Sequence, residues 1–261
     1  MDILQIKEGI HLIYKPTGPT SHDIVDWARK QSDIRCIGHA GTLDPFAEGL
    51  LILLVGKEYT RRQSEFLGMD KTYETTIHLG AISNTDDCTG KITPFICHSR
   101  ENSRFLNETL SSEKSQCPWC GNPGWIPDQV GDDNLYVPIL TDIQQALTDL
   151  TGTYEQMPPL FSAKKISGTP AYKLARKGQT PELKPKQITL YSIEFLSFEW
   201  PLLSIRTTVS SGTYIRALAR DIGEKLSCGA YCETLKRTSI GPYLLTDAIR
   251  IPDESLRPRH E

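Results

Sequence analysis

No stretch of this 261-residue chain approaches the roughly 18 consecutive apolar residues that a membrane-spanning helix needs. The run Gly49-Leu50-Leu51-Ile52-Leu53-Leu54-Val55-Gly56 is too short, and glycine at both ends marks it as a buried strand. A basic amino terminus leading into an apolar segment is also missing, which argues against a secretion signal and makes the cytosol the expected location. An even set of cysteines is absent too. The seven present (Cys36, Cys88, Cys97, Cys117, Cys120, Cys228 and Cys232) are expected to be reduced thiols, with Cys228 and Cys232 in the core. Net positive charge is lacking: the chain carries −3, without the overall basic footprint usual in nucleic-acid binders.

The distribution of charge says more than its sum. Phe161 to Leu190 holds seven Lys/Arg and one acid, whereas Cys97 to Leu150 holds three basic residues and eight acids. An acidic segment therefore masks a basic one, and phosphate contacts depend on local cation clusters. At 38% hydrophobic residues the chain can bury a large core, as one big domain or two smaller ones.

Periodicity predicts a strand over Gly9–Tyr14 and, after the turn at Gly18-Pro19, a helix opened by the capping box Thr20-Ser21-His22-Asp23. Gly38 to Gly49 reads as a loop, Arg61 to Leu67 as a short helix, and the alternating Lys71–Leu79 as a strand. Thr141 is placed to cap a helix through Ile143, Ala146, Leu147 and Leu150. Ile188–Trp200 and Leu202–Val209 read as paired strands. Gly212–Leu226 reads as a helix with the stripe Ile215, Leu218, Ala219, Ile222 and Leu226. Residues 97–137, polar and rich in Ser, Asn, Gly and Pro, read as an inserted excursion. The mixture predicts an α+β fold around a large mixed or antiparallel sheet flanked by helices and loops.

The chemistry centres on Gly38-His39-Ala40-Gly41-Thr42-Leu43-Asp44-Pro45-Phe46-Ala47-Glu48-Gly49. Pro45 biases Asp44 towards an extended backbone, and the glycines allow close approach of a ligand. An aspartate so placed can serve as nucleophile or base; an Asp-Pro dipeptide alone also makes an ordinary turn.

This segment resembles the GHxGTLDPxAxGxL loop of the bacterial TruB family of pseudouridine synthases. Six further segments resemble family motifs in the family's order. They are Lys15-Pro16-Thr17-Gly18-Pro19-Thr20-Ser21-His22-Asp23, Lys71-Thr72-Tyr73, Gln156 to Lys165, Tyr172 to Gly178, Ser211 to Arg216, and Leu235-Lys236-Arg237-Thr238. The resemblance implies the pseudouridine synthase fold. It also implies conversion of a uridine to pseudouridine in the T-arm of tRNA, at position 55, without metal or organic cofactor. Asp44 then matches the catalytic aspartate and Tyr73 the tyrosine that stacks on the flipped base. Tyr214 and Arg216 match active-site residues, the arginine pairing with the aspartate. Leu235 matches an apolar pocket residue, and His39 a histidine that contacts RNA. Lys164, Lys165, Arg176 and Lys177 are candidate contacts to the RNA backbone. Other readings compatible with the sequence are a tRNA-folding chaperone whose chemistry is secondary, or the same chemistry on another RNA.

Three departures accompany the resemblance. About 20 residues follow Gly241-Pro242, too few for the C-terminal PUA domain that members often carry. The expected organisation is a catalytic domain over 1–250, with an insertion at about 97–137, and a tail over 251–261, as a monomer. Ser83-Asn84-Thr85-Asp86-Asp87 stands where members usually have TDTxD, which weakens one acidic position, Asn84. Within the excursion, Cys117-Pro118-Trp119-Cys120-Gly121 resembles half of a zinc knuckle that Cys97 and His98 could complete; the alternative is a loop with reduced thiols.

Overall fold

The computed structural model describes residues 6–95, 137–161 and 183–252, and the backbone pairing of 165–166 with 169–170. The inserted segment, apart from Val137, and the tail beyond Pro252 lie outside these residues. In chain order the strands are β1 (Gly9–Lys15), β2 (Ile37–Ala40), β3 (Glu48–Val55), β4 (Lys71–Leu79), β5 (Ala81–Ser83), β6 (Ile92–Pro94), β7 (Gly152–Gln156), β8 (Lys165–Ile166), β9 (Thr169–Pro170), β10 (Lys186–Glu199), β11 (Leu202–Val209), β12 (Ala230–Ile240), β13 (Tyr243–Leu244) and β14 (Ile249–Arg250). The helices are α1 (Ser21–Lys30), α2 (Lys57–Arg61), α3 (Gln63–Leu67), α4 (Leu140–Leu150) and α5 (Ile215–Lys225).

Among the described residues, ten strands form one sheet in the order β14-β1-β3-β12-β4-β11-β10-β7, with β13 added to β12 and β2 to β3. The pairs β1–β14 and β3–β12 are parallel and the other pairs of this sheet antiparallel, so the expected mixed α+β sheet is what forms.

The burial pattern follows the residue pattern. In β3, Leu51, Leu53 and Val55 face a cluster with α1, while Leu50, Ile52 and Leu54 face one with Phe66. Covered on both faces, β3 reads as an unbroken apolar run. Strand β4 alternates strictly; Tyr73, Ile77 and Leu79 join the core under α4 and α5, while Glu74 pairs outside with Arg206. The whole predicted stripe of α5, from Ile215 to Leu226, is buried in that core. Full burial of such aliphatic side chains contributes about 1.5–3 kcal/mol each.

Three local expectations are corrected. The Gly38–Gly49 segment is a loop only over 41–47, because β2 pairs with β3 through Ala40↔Ile52. Two short helices, α2 and α3, replace the single one expected over 61–67, and the first begins earlier, at Lys57. Thr141 does not cap α4: it lies in the first turn, and Ile139 is the cap residue with no side-chain bond. The capping box at Thr20 forms as predicted.

Gly49 brings the site together. It lies opposite Arg237 where β3 and β12 pair, with φ +115°. A Cβ there would sit 2.3 Å from the Arg237 carbonyl oxygen. Gly49→Ala is therefore expected to destabilise the protein by about 2–4 kcal/mol, from overpacking plus a left-handed backbone, as read by urea unfolding.

Candidate active site

Asp44 projects from the loop between β2 and β3, and side chains from elsewhere in the chain hold that loop by its backbone. Ser21 Oγ accepts from the Leu43 amide at 2.9 Å and donates to the Leu43 carbonyl at 3.1 Å. Lys15 Nζ donates to the carbonyls of Ala47 (2.7 Å), Pro16 (2.9 Å) and Pro45 (3.4 Å). From β12, Arg237 donates to Gly41 O at 2.9 Å and to Leu50 O at 2.8 Å, which ties both flanks of the loop to one buried guanidinium. Buried backbone acceptors left unpaired would cost about 1–3 kcal/mol each, so these contacts hold the loop in one conformation. Burial pulls Lys15 down to about 8, against a smaller opposing effect of Asp44. Burial, with Arg237 nearby, likewise pulls Lys71 down to about 8.

The Asp44 carboxylate is 37% exposed, and Arg216 Nε lies 2.9 Å from its Oδ2. The Nε–H is not aimed at that oxygen, so this is an ion pair without an aligned hydrogen bond. Arg216 is itself 4% exposed and fixed on its other side. It pairs with Asp87 at 3.2 Å and donates to the carbonyls of Thr85 (2.9 Å) and Phe161 (3.1 Å). Asp87 divides its oxygens. Oδ1 accepts from Thr85 Oγ1, Thr89 N and Thr89 Oγ1, while Oδ2 is left for Arg216. The sequence thus encodes an Asp44–Arg216–Asp87 chain in which a half-exposed carboxylate is oriented by a buried cation.

The neighbouring sheet face supplies an apolar surface. Tyr73 on β4 lies opposite Thr207 on β11 and Arg237 on β12, and Leu235 shares that face of β12. Tyr73 (7% exposed) and Leu235 (6%) belong to the same cluster as Leu43, Ala47 and Ile215, which flank Asp44 and Arg216 in sequence. Tyr214 is the N-cap residue of α5, two positions before Arg216. His39 lies on β2, its ring half-buried with Nδ1 unpartnered among the described residues, and burial lowers its pKa, with Arg237 adding to the shift. Asn84, the departure in the acidic motif, accepts from the Lys91 amide at 2.8 Å and so closes the β5–β6 turn.

A second ionic cluster adjoins the first. Arg220 pairs with Asp86 (2.8 Å) and Asp221 (3.3 Å), and burial pushes both carboxyls up. A cavity of about 920 Å³ borders this cluster and is lined in part by Asp86, Arg220, Phe95 and Leu160; Asp44, Tyr73 and Leu235 do not line it. Among the described residues no group of three or more His, Cys, Asp or Glu side chains could hold a metal ion. Cys97, Cys117, Cys120 and His98 lie outside the described residues, as do Lys164, Arg176 and Lys177, and Lys165 is described only by its place in β8.

The model of the TruB family pseudouridylate synthase N-terminal domain matches residues 29–118 and 130–215, which take in Asp44, Tyr73, Asp87 and Tyr214 and end one residue before Arg216. The chain belongs to the TruB family. It is 37% identical over 242 residues to the tRNA pseudouridine synthase B of Protochlamydia amoebophila (strain UWE25), covering 93% of this chain and 78% of that one. To the protein of the same name from Thermosipho melanesiensis it is 40% identical, over 92% of this chain and 66% of that one. Among solved structures it is similar to a Cbf5–Nop10–Gar1 complex, with a TM-score of 0.62 and 26% identity over 96% of this chain. It spans 55% of that chain, about half its length. Among the described residues, Asp44 is the carboxylate that is both half-exposed and within ion-pair distance of a buried arginine. Three residues that sequence reasoning did not single out, Asp87, Lys15 and Arg237, hold Arg216 and the Asp44 loop in place. The available signal was their polarity at positions that a buried strand or turn otherwise fills with apolar residues.

Proposed function

We propose that this chain converts one uridine in the T-arm of tRNA, position 55, into pseudouridine, with Asp44 as nucleophile. The observation that carries the reading is the Asp44–Arg216 ion pair beside the apolar face of Tyr73 and Leu235. It is supported by the relatives named tRNA pseudouridine synthase B. The isomerisation breaks the C1′–N1 bond and forms C1′–C5; C5 gives up a proton and N1 gains one. No electron is transferred overall, so the reading calls for no metal or organic cofactor. Asp44 attacks and later leaves, and Arg216 keeps a fixed positive charge beside it throughout. The target base must leave its stack, at a cost of about a few kcal/mol. Stacking on Tyr73 returns about 1–3 kcal/mol of it, with Leu235 completing the apolar wall and Tyr214 and His39 meeting the extruded nucleotide. The basic segment around Lys164, Lys165, Arg176 and Lys177 grips the phosphate backbone in this reading.

The test is to incubate the purified protein with an unmodified tRNA transcript and map pseudouridine at single-nucleotide resolution. Product at position 55 alone is expected. Absence of product in the T-loop would sink the substrate assignment.

A further inference from the structure

Helix α5 begins without the usual cap. Its N-cap residue, Tyr214, has no side-chain cap bond, although the first amides of a helix lack partners within it. The partner comes instead from the end of β7. Gln156 Oε1 accepts from the Tyr214 amide at 2.9 Å, and Gln156 Nε2 donates to the Tyr214 carbonyl at 3.2 Å. One side-chain amide therefore grips both polar groups of the tyrosine's backbone. Gln156 is 2% exposed. Its amide is held in turn: Nε2 also lies 3.2 Å from Tyr154 Oη, which donates to Asp221 Oδ2 on α5 at 2.9 Å. Tyr154 and Gln156 lie two residues apart on β7, so both point from one face of the strand to one face of the helix.

We infer that Gln156 is a positioning residue for the reaction: it fixes the backbone of Tyr214, and through it the place of the Tyr214 ring against the substrate nucleotide. This rests on the reading of Tyr214 as an active-site residue given above. The geometry explains why an amide is required. An aliphatic side chain would leave the Tyr214 amide without this partner at a part-buried helix start. A carboxylate would keep the acceptor, lose the donor and face Asp221. Displacement of a contacting group by about 1 Å from its productive place costs on the order of 100-fold in rate.

The test is a double-mutant cycle on the full chain with an unmodified tRNA transcript, reading kcat, KM and urea stability. Gln156→Met is expected to lower kcat by about 10–100-fold and to change KM less than about threefold, because affinity for the RNA comes mainly from backbone contacts elsewhere. In a Tyr214→Ala background the same substitution is expected to lower kcat by less than about threefold. Equal losses in both backgrounds would overturn the inference, since they would show Gln156 acting on the fold or through Arg216. Undiminished kcat in Gln156→Met, with Tyr214→Ala strongly impaired, would overturn it while leaving the role of Tyr214 intact. If Tyr214→Ala alone kept full kcat, that role would fall and this inference with it. Should Gln156→Met not fold, Gln156→Glu carries the same cycle with the same criteria.

Discussion

Asp44→Ala is expected to abolish pseudouridine formation, lowering turnover by about 10⁴-fold or more while RNA binding changes less than about threefold. The loss should be chemical because the loop does not depend on the carboxylate for its shape. Its backbone is held by Ser21, Lys15 and Arg237, and Arg216 keeps Asp87 as a partner when Asp44 is gone. Stability should accordingly change by no more than about 1 kcal/mol, since the lost ion pair is partly exposed on the Asp44 side. Asp44→Asn, which keeps the shape and removes the nucleophilic oxygen, should be as inactive as alanine. The measurements are single-turnover pseudouridine formation and filter binding of the same transcript. Product formed at an undiminished rate by either variant would refute the role assigned to Asp44.

The largest effect on stability is expected at Arg216. Arg216→Met leaves Asp87 with a buried carboxylate oxygen and no cation, and leaves the carbonyls of Thr85 and Phe161 without their donor. Removing one partner of a buried pair costs about 3–5 kcal/mol, read as a lowered urea midpoint. Activity should fall as well, because Asp44 loses its only cation within ion-pair distance among the described residues. The two effects separate in the double variant Arg216→Met/Asp87→Asn. Neutralising the stranded carboxylate should recover most of the stability and none of the activity. Recovery of both would show that Arg216 serves the fold alone.

Much of the fold was legible along the chain. The unbroken apolar run of β3 announced a buried strand, the alternation of β4 a strand, and the stripe of α5 a helix with one apolar face; all three form, and the stripe is buried in the core. Local expectations failed where tertiary pairing outweighed propensity. Ile37–Ala40 becomes a strand because β3 offers it an edge, and Thr141 is drawn inside a helix that begins one residue earlier.

The sequence by itself determined the family and, through it, which residues are candidates for the chemistry. Asp44, Tyr73, Tyr214, Arg216 and Leu235 stand in motifs whose order and spacing identify the TruB family. Tertiary structure decided how those residues are held. Asp87 lies 129 positions from Arg216 and 43 from Asp44, yet one guanidinium bridges them. Arg237 reaches back 196 positions to Gly41, and Gln156 forward 58 to Tyr214. The physical reason is that motifs record residue types along a chain, whereas a buried polar group is defined by its partner. Here the partners meet because β12 lies between β3 and β4 and α5 packs against the sheet.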